Sequence, residues 1–182
     1  MRFPPELKTP RLYLRPWQAT DASRLLPILE ADRGHLGPWI PARVANPAPV
    51  PELERRLRSF ADLFQQDREW RYAMIEAEEG RLLGEVGLFP RDASRRVPFA
   101  EADRVELGYW LRSDATGRGI INEAASAVLD AAASFKEFSH CEIRCDPRNA
   151  PSVAVARRLG FGLVETTAEP LQVWSRRLSP SR

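Results

Sequence analysis

The chain is short of the residues that staple small proteins or bind metals: two cysteines and two histidines in 182 residues. Both cysteines fall in "HCEIRC", at Cys141 and Cys145. If that stretch is a strand they share a face about 13 Å apart at ~3.3 Å per residue, too far for a disulfide, so both are expected as buried thiols. His140 beside Cys141 completes no metal set, because the chain has no second CxxC and no HxxxH; no metal site is expected. Missing too is any apolar run near the roughly 20 residues needed to cross a bilayer, so no membrane partner is expected. The first residues, "MRFPPELKTPRLYLRP", lack the apolar segment of a secretory signal, which predicts a cytoplasmic protein. Nor is there a strong charge of one sign. A net charge of +2 gives no field for nucleic acid, and the pairs Arg157-Arg158 and Arg176-Arg177 read as solvated surface. No internal repeat is visible.

What remains is ordinary globular composition, 43% hydrophobic and 29% charged, long enough for one domain over residues 1–182 with its own core. Hydrophobic periodicity alternates between strand and helix. "RLYLRP" reads as a strand and "TDASRLLPILEAD" as a helix capped by Thr20 or Asp21, which Pro27 should kink or shorten. The proline-rich "HLGPWIPARVANPAPVP" reads as an ordered loop. In "PELERRLRSFADLFQQ", Leu53, Leu57, Phe60 and Phe64 step along one helical face. "YAMIEAEEGRLLGEVGLFP" is a hairpin turning near Glu79-Gly80. Residues 91–104 form a charged loop before the strand "RVELGYWLR". The helix "GIINEAASAVLDAAASF" follows, its buried face marked by Ile121, Ala125, Val128, Ala132 and Phe135. "HCEIRC" is the next strand; "NAPSVAVARRLGFG" is a helix capped by Asn149, with Pro151 in its first turn and Gly160 past its end. "GLVET" and "LQVWSRRL" close the chain as a strand pair. The order β-α-α-β-β-β-α-β-α-β-β is an α/β arrangement with a mixed sheet.

One stretch carries chemistry. "SDATGRGIINEA", Ser113 to Ala124, puts two glycines around an arginine between an apolar strand and a new helix. Unpaired amides at a helix N-terminus, together with the helix dipole, make such a turn an anion site. A dinucleotide-binding turn would need a third glycine and a P-loop GK[ST]; "GRGIIN" offers neither.

Four segments in order, "LKTPRLYLRP", "HLGPWIP", "ELGYWLRSDATGRGIINEA" and "NAPSVAVARRLGF", give the chain its resemblance to the GNAT superfamily of acyl-CoA-dependent N-acetyltransferases, in particular its RimJ/RimL-type branch that acetylates protein N-termini. The resemblance spans about Leu7 to Leu178. It implies the GNAT fold: a central, mostly antiparallel mixed sheet flanked by helices, with splayed central strands. It also implies acetyl-CoA as co-substrate, its pyrophosphate on the amides of Thr116, Gly117, Arg118, Gly119 and Ile120, with Asn122 beside them. Asp114 stands where the family usually has Gln or Arg. The pantetheine arm would lie along the backbone of Trp110, Leu111 and Arg112, with Asn149 reaching it from the other side.

The resemblance further implies that Glu106 is the general base, acting through a water on the acceptor amine. The competing reading of Glu106 is a solvent-facing strand carboxylate. An α-amine near pKa 8 needs less help than a lysine near 10.4. Many members protonate the departing thiolate with a tyrosine four residues before the glycine of "GF"; that position is Ala156 here. RimL-like members carry a serine three residues after the asparagine, which is Ser152, either orienting the sulfur and relaying a proton or assisting the helix cap. The expected acceptor is a protein N-terminus, with a small amine or antibiotic as the alternative and a non-catalytic acyl-CoA-binding module as a third reading. Trp39 and Trp174 are expected near the acceptor, and Glu76, Glu78, Glu79, Glu101 and Asp103 are a pointer to a cationic one. A homodimer is compatible with any exposed strand or helix.

Overall fold

The computed structural model describes residues 2–168 and 171–178. Strands β1 (Leu7–Lys8) and β2 (Leu12–Pro16) lead into helix α1 (Ala22–Ala31), two short helical turns, α2 (Arg33–Leu36) and α3 (Ala42–Ala45), and the long α4 (Val50–Gln65). Then come β3 (Trp70–Glu76), β4 (Leu82–Arg91), β5 (Arg104–Leu111), α5 (Ile120–Ala132), β6 (His140–Cys145), α6 (Ala150–Arg158), β7 (Gly162–Thr166) and β8 (Gln172–Arg177). The strands form one sheet in the order β1-β2-β3-β4-β5-β6-β8-β7. Every neighbouring pair is antiparallel except β5 with β6.

Two apolar layers cover the sheet. On one face α5 packs Ile121, Ala125 and Val128 against Leu12, Tyr72, Met74 and Leu107; on the other α4 packs Leu53, Leu57 and Phe60 against Ala73, Ile75 and Trp110. The alternation of Tyr72 and Met74 with Ala73 and Ile75 is the two-residue period of a strand buried on both sides, which is why β3 reads as a nearly continuous apolar run. The hairpin turns through Gly80 at φ +67°.

The structure adjusts the sequence reading in four places. β1 is an extra strand, two residues long and paired with β2. The proline-rich loop carries two helical turns. Neither Thr20 nor Asp21 caps α1 with its side chain: the Asp21 carboxylate accepts two 2.7 Å bonds from Arg15 and one of 3.0 Å from the Gln18 N–H. A bidentate guanidinium is a stronger partner than a single amide, so the carboxylate turns back toward β2. Pro27 lies inside the ten-residue α1. Finally, α5 stops at Ala132 rather than Phe135, whose ring instead stacks on Phe3 at 5.0 Å in an aromatic cluster with Trp70, Phe99 and Phe138. Through Phe99 that cluster pins the 91–104 loop against the sheet.

Candidate active site

The central strands part. β5 and β6 pair only from Arg104 with His140 to Glu106 with Glu142, although β5 runs on to Leu111 and β6 to Cys145. Past Glu106 the gap opens into a cleft of about 920 Å3 that also takes in the glycine turn, the first turn of α6 and the loop around α2 and α3. The backbone groups facing the split follow from strand alternation. Arg112 donates its N–H to Leu83 O at 2.8 Å, and a Cβ on Gly84 would collide with Trp110 O. Trp110 and Arg112 therefore turn their peptide groups to β4, and Tyr109 and Leu111 turn theirs to the split. Of the three backbone contacts expected for an extended arm, only Leu111 is placed for one, and its carbonyl already meets His35 Nε2 at 3.2 Å. Trp110 still lines the cleft, but with its indole; Arg112 does not line it.

The glycine turn is built by clamps from distant parts of the chain. Asp32, at the end of α1, accepts from the Ser113 N–H at 2.9 Å and from Ser113 Oγ at 2.5 Å. Arg11 ion-pairs with Glu123 at 2.6 Å and donates to Arg118 O at 2.8 Å. Gly117 and Gly119 both sit at φ +74°, a conformation L side chains rarely adopt. The first bond of α5 runs from the Glu123 N–H to Gly119 O, so the amides from Gly119 to Asn122 have no acceptor within the helix. A Cβ on Gly117 would meet no protein atom within 4 Å, and Asn122 Oδ1 is buried in the cleft wall with no partner among the described residues. Open space and unpaired donors fit the phosphates of a ligand, and the orphaned Asn122 oxygen is suited to a donor group elsewhere on it. Thr116, Gly117, Gly119, Ile120 and Asn122 line the cleft; Arg118 does not, its guanidinium reaching Glu76 at 3.3 Å. Asp114 is occupied by Arg112 at 2.5 Å.

Across the split, α6 begins at Asn149, whose Oδ1 accepts the Ser152 N–H at 3.2 Å. That is the expected cap. Ser152 Oγ lies 2.8 Å from the Tyr109 hydroxyl, a partner the sequence reading missed. Burial pushes the Tyr109 phenol well above its ordinary range, the bond to Ser152 opposing, so it keeps its proton at neutral pH. Cys145 lines the cleft beside them, its thiol raised by burial and eased by a hydrogen bond to Ser152; both cysteines are free and buried. Ala156, where a tyrosine was a possibility, is fully buried in the core.

Glu106 lies at the apex of the split. Its Oε2 accepts from Arg91 Nη1 and its Oε1 from Arg96 Nη2, each at 2.5 Å. It is no solvent-facing strand carboxylate, for its side chain is only 16% exposed. Arg91 beneath it is held below the usual guanidinium range by burial, then favoured by Glu106 and disfavoured by neighbouring Arg144. Trp39 lines the cleft and is 41% exposed, as expected for a residue at its mouth. Trp174 is not there: it is buried in the core with Arg157 5.6 Å from its ring. The acidic cluster is not there either. Glu76 and Glu79 pair with Arg81 at the hairpin turn, Asp103 pairs with Arg104, and neither Glu78 nor Glu101 lines the cleft.

Comparison with known proteins agrees with this architecture. Residues 11–162 match the family model described as an acetyltransferase (GNAT) domain. The Bacillus subtilis (strain 168) protein YjcK, named a probable N-acetyltransferase, is 26% identical over 171 residues, covering 92% of this chain and 91% of its own. Among solved structures, the Salmonella typhimurium acetyltransferase that modifies the N-terminal serine of ribosomal protein L7/L12 superposes with a TM-score of 0.77 at 18% identity, covering 94% of this chain and 97% of that one. Mycobacterium smegmatis RimJ, in complex with CoA-disulfide, superposes at 0.73 with 23% identity, covering 91% and 81%. The fold and the family match together make the protein an N-acetyltransferase that uses acetyl-CoA, and the chain belongs to the GNAT acetyltransferase family.

Proposed function

We propose that the protein acetylates the N-terminal α-amine of a protein or peptide. The observation that carries the reading is the split between β5 and β6, open from Glu106 onward and lined on both faces of the sheet, which lets an acyl donor and an extended acceptor approach one point from opposite sides. The neighbours named for action on ribosomal-protein N-termini support the same acceptor.

The amides of Gly117, Gly119 and Ile120 and the side chain of Asn122 would hold the donor's phosphates, with Thr116 at the entrance of the turn. Asn149 keeps its amide hydrogens for the arm, since its carbonyl oxygen is the one used in the cap. Tyr109 and Leu111 offer the backbone edge. Acetyl-CoA supplies an acetyl thioester. The chain's own residues handle the protons. At pH 7 about a tenth of an α-amine of pKa near 8 is neutral, so the base needs little strength. Glu106 fills that role through a water, because a carboxylate has about four lone-pair sites and Arg91 and Arg96 take two. On the other side, Ser152 Oγ protonates or orients the departing sulfur, drawing on the Tyr109 phenol behind it. Tyr109 on β5 thus occupies the chemical role that Ala156 cannot.

Thiol release from acetyl-CoA by purified protein, measured against short peptides of varied N-terminal residue and against polyamines and aminoglycosides, tests the reading. Release with peptides, falling when the acceptor is cut to a single residue, is the expected result. Release confined to polyamines or aminoglycosides overturns it.

A further inference from the structure

The charges around the acceptor end of the cleft point to the chemistry of what enters. Each acidic side chain lining the cleft is already matched by a cation. Glu85 accepts from Arg71 at 2.8 Å and from the Trp17 indole at 2.6 Å; Glu106 is held by Arg91 and Arg96; Asp146 pairs with Arg148 at 2.6 Å. Of the lining guanidiniums, Arg71 is matched by Glu69 and Glu85 and Arg144 by Glu142, whereas Arg96 and Arg43 are matched only in part. Arg96 is the clearest case. Its side chain is 39% exposed, its guanidinium carbon lies 3.8 Å from the centre of the Phe89 ring, and only Nη2 has an acceptor, Glu106, among the described residues. The ring contact and Glu106 hold the guanidinium in place while Nε and Nη1 stay available, two neighbouring donors that suit a carboxylate. Arg43 is 55% exposed at the mouth, with only a 3.9 Å approach to Glu69. Arg144 comes to the same loop as Arg96, touching Ala93 O at 3.4 Å, but its charge is taken by Glu142 at 3.1 Å. The Trp110 indole N–H adds a buried donor with no partner among the described residues, on a side chain 5% exposed that lines this part of the cleft.

Alternation along β5 puts Glu106, and with it Arg96, on the sheet face opposite Tyr109, so the free donors of Arg96 lie on the acceptor side, away from Ser152. A cationic acceptor would meet no unmatched negative charge there and the partly matched guanidiniums of Arg96 and Arg43. An acceptor bearing an anionic group beside its amine would meet Arg96 with two donors ready. The geometry points to a substrate whose α-amine is followed closely by a carboxylate: an N-terminal segment with Asp or Glu as its first or second residue, gripped by Arg96. This rests on the peptide N-terminal reading above and narrows its acceptor.

Thiol release is measured with tetrapeptides that differ only at the second residue, Asp, Ala or Lys, together with free aspartate, and repeated with Arg96→Gln and Arg96→Glu. The expected order of kcat/KM is Asp, then Ala, then Lys, with about tenfold between the extremes, the scale of one charge-assisted bond. Arg96→Gln should collapse the ratio of Asp to Lys peptide toward one, and Arg96→Glu should invert it. The ratio is insensitive to a general loss of activity, so a partly damaged variant still reports. Equal rates across the tetrapeptides, or a preference for Lys, overturn the inference and leave the N-terminal reading standing. Turnover of free aspartate with none of any peptide upholds an anionic acceptor and overturns the N-terminal reading. Silence with every acceptor overturns both.

Discussion

Replacing Ser152 with alanine is the sharpest test of the proton path. The substitution removes one hydroxyl whose oxygen lies 2.8 Å from the Tyr109 phenol and leaves the helix cap in place, because Asn149 accepts from the backbone N–H of residue 152 and not from its side chain. The stability cost is the bond to Tyr109 and a weaker one to the Cys145 thiol, about 1–2 kcal/mol together. The phenol keeps a weaker contact at 3.4 Å to the Ser152 carbonyl, so it is not wholly orphaned. The catalytic cost should be larger. General-acid assistance is worth about 100- to 10,000-fold in general, but a CoA thiolate with a pKa near 8.5 leaves with little help, so we expect about a 10- to 100-fold fall in kcat. Tyr109→Phe should give a fall of similar size by removing the far end of the same relay. The double variant should be no slower than the slower single one, because both substitutions cut one path. The assay is steady-state thiol release at saturating acetyl-CoA, with urea denaturation of each variant as the stability control. If the two losses multiply in the double variant, Ser152 and Tyr109 act independently and the relay is wrong. If Ser152→Ala leaves kcat unchanged, the hydroxyl serves packing alone.

Three further outcomes follow from the same geometry. Gly119→Ala forces an L residue into φ +74° at about 1–2 kcal/mol, and its Cβ would stand in ordinary contact, 3.7 Å from Arg11 Nη2; calorimetric titration should show a fold that survives but binds acetyl-CoA at least about tenfold more weakly. Gly84→Ala drives a Cβ into Trp110 O and to 3.0 Å from Leu111 Cα on the neighbouring strand; with backbone on the far side nothing can yield, and urea melts should report a loss of about 3 kcal/mol or failure to fold. Burial opposes ionisation of Glu123, but hydrogen bonds from Thr9, the Arg11 N–H and the Arg11 guanidinium outweigh it and hold its carboxyl below the ordinary value. The contribution is therefore present above the unfolded carboxyl pKa, about 4.3, and is lost as pH falls through the lower folded value. The urea midpoints of the wild type and Glu123→Gln should accordingly differ at pH 7 and converge as the pH falls below the lowered folded value. A gap that persists at low pH would place the effect elsewhere.

How far the sequence can be read depends on whether a feature is local. The faces of α4 and α5, the Gly80 hairpin, the Asn149 cap and the glycine turn are all set by residues a few positions apart, and each stands where its pattern put it. The clamps on that turn were invisible, since Arg11 and Asp32 lie 107 and 81 positions from their partners in the chain and carry no spacing signal. Glu106 was located but its surroundings were not: Arg91 and Arg96 belong to a strand end and a loop whose approach only the sheet register fixes. The acidic cluster failed for the converse reason. Closeness in composition placed Glu76 and Glu79 in one group with Asp103, whereas the fold gives them separate arginines on separate turns.

Tyr109 shows why a missing motif residue is weak evidence against an activity. A phenol at the thiolate end of the cleft can arrive from α6 or from the strand that faces it, because β5 turns every second side chain toward α6. In "VELGYWL" the tyrosine sits one residue from Trp110 and therefore on the opposite face. Its backbone borders the split while its hydroxyl meets Ser152, so one residue would serve both the extended arm and the proton path proposed above. A tyrosine restored at position 156 would gain nothing: Ala156 is fully buried in the core, and the added ring would have to displace packed neighbours. Ala156→Tyr should therefore lower the urea midpoint without raising kcat, the reverse of what a chain lacking its acid would show.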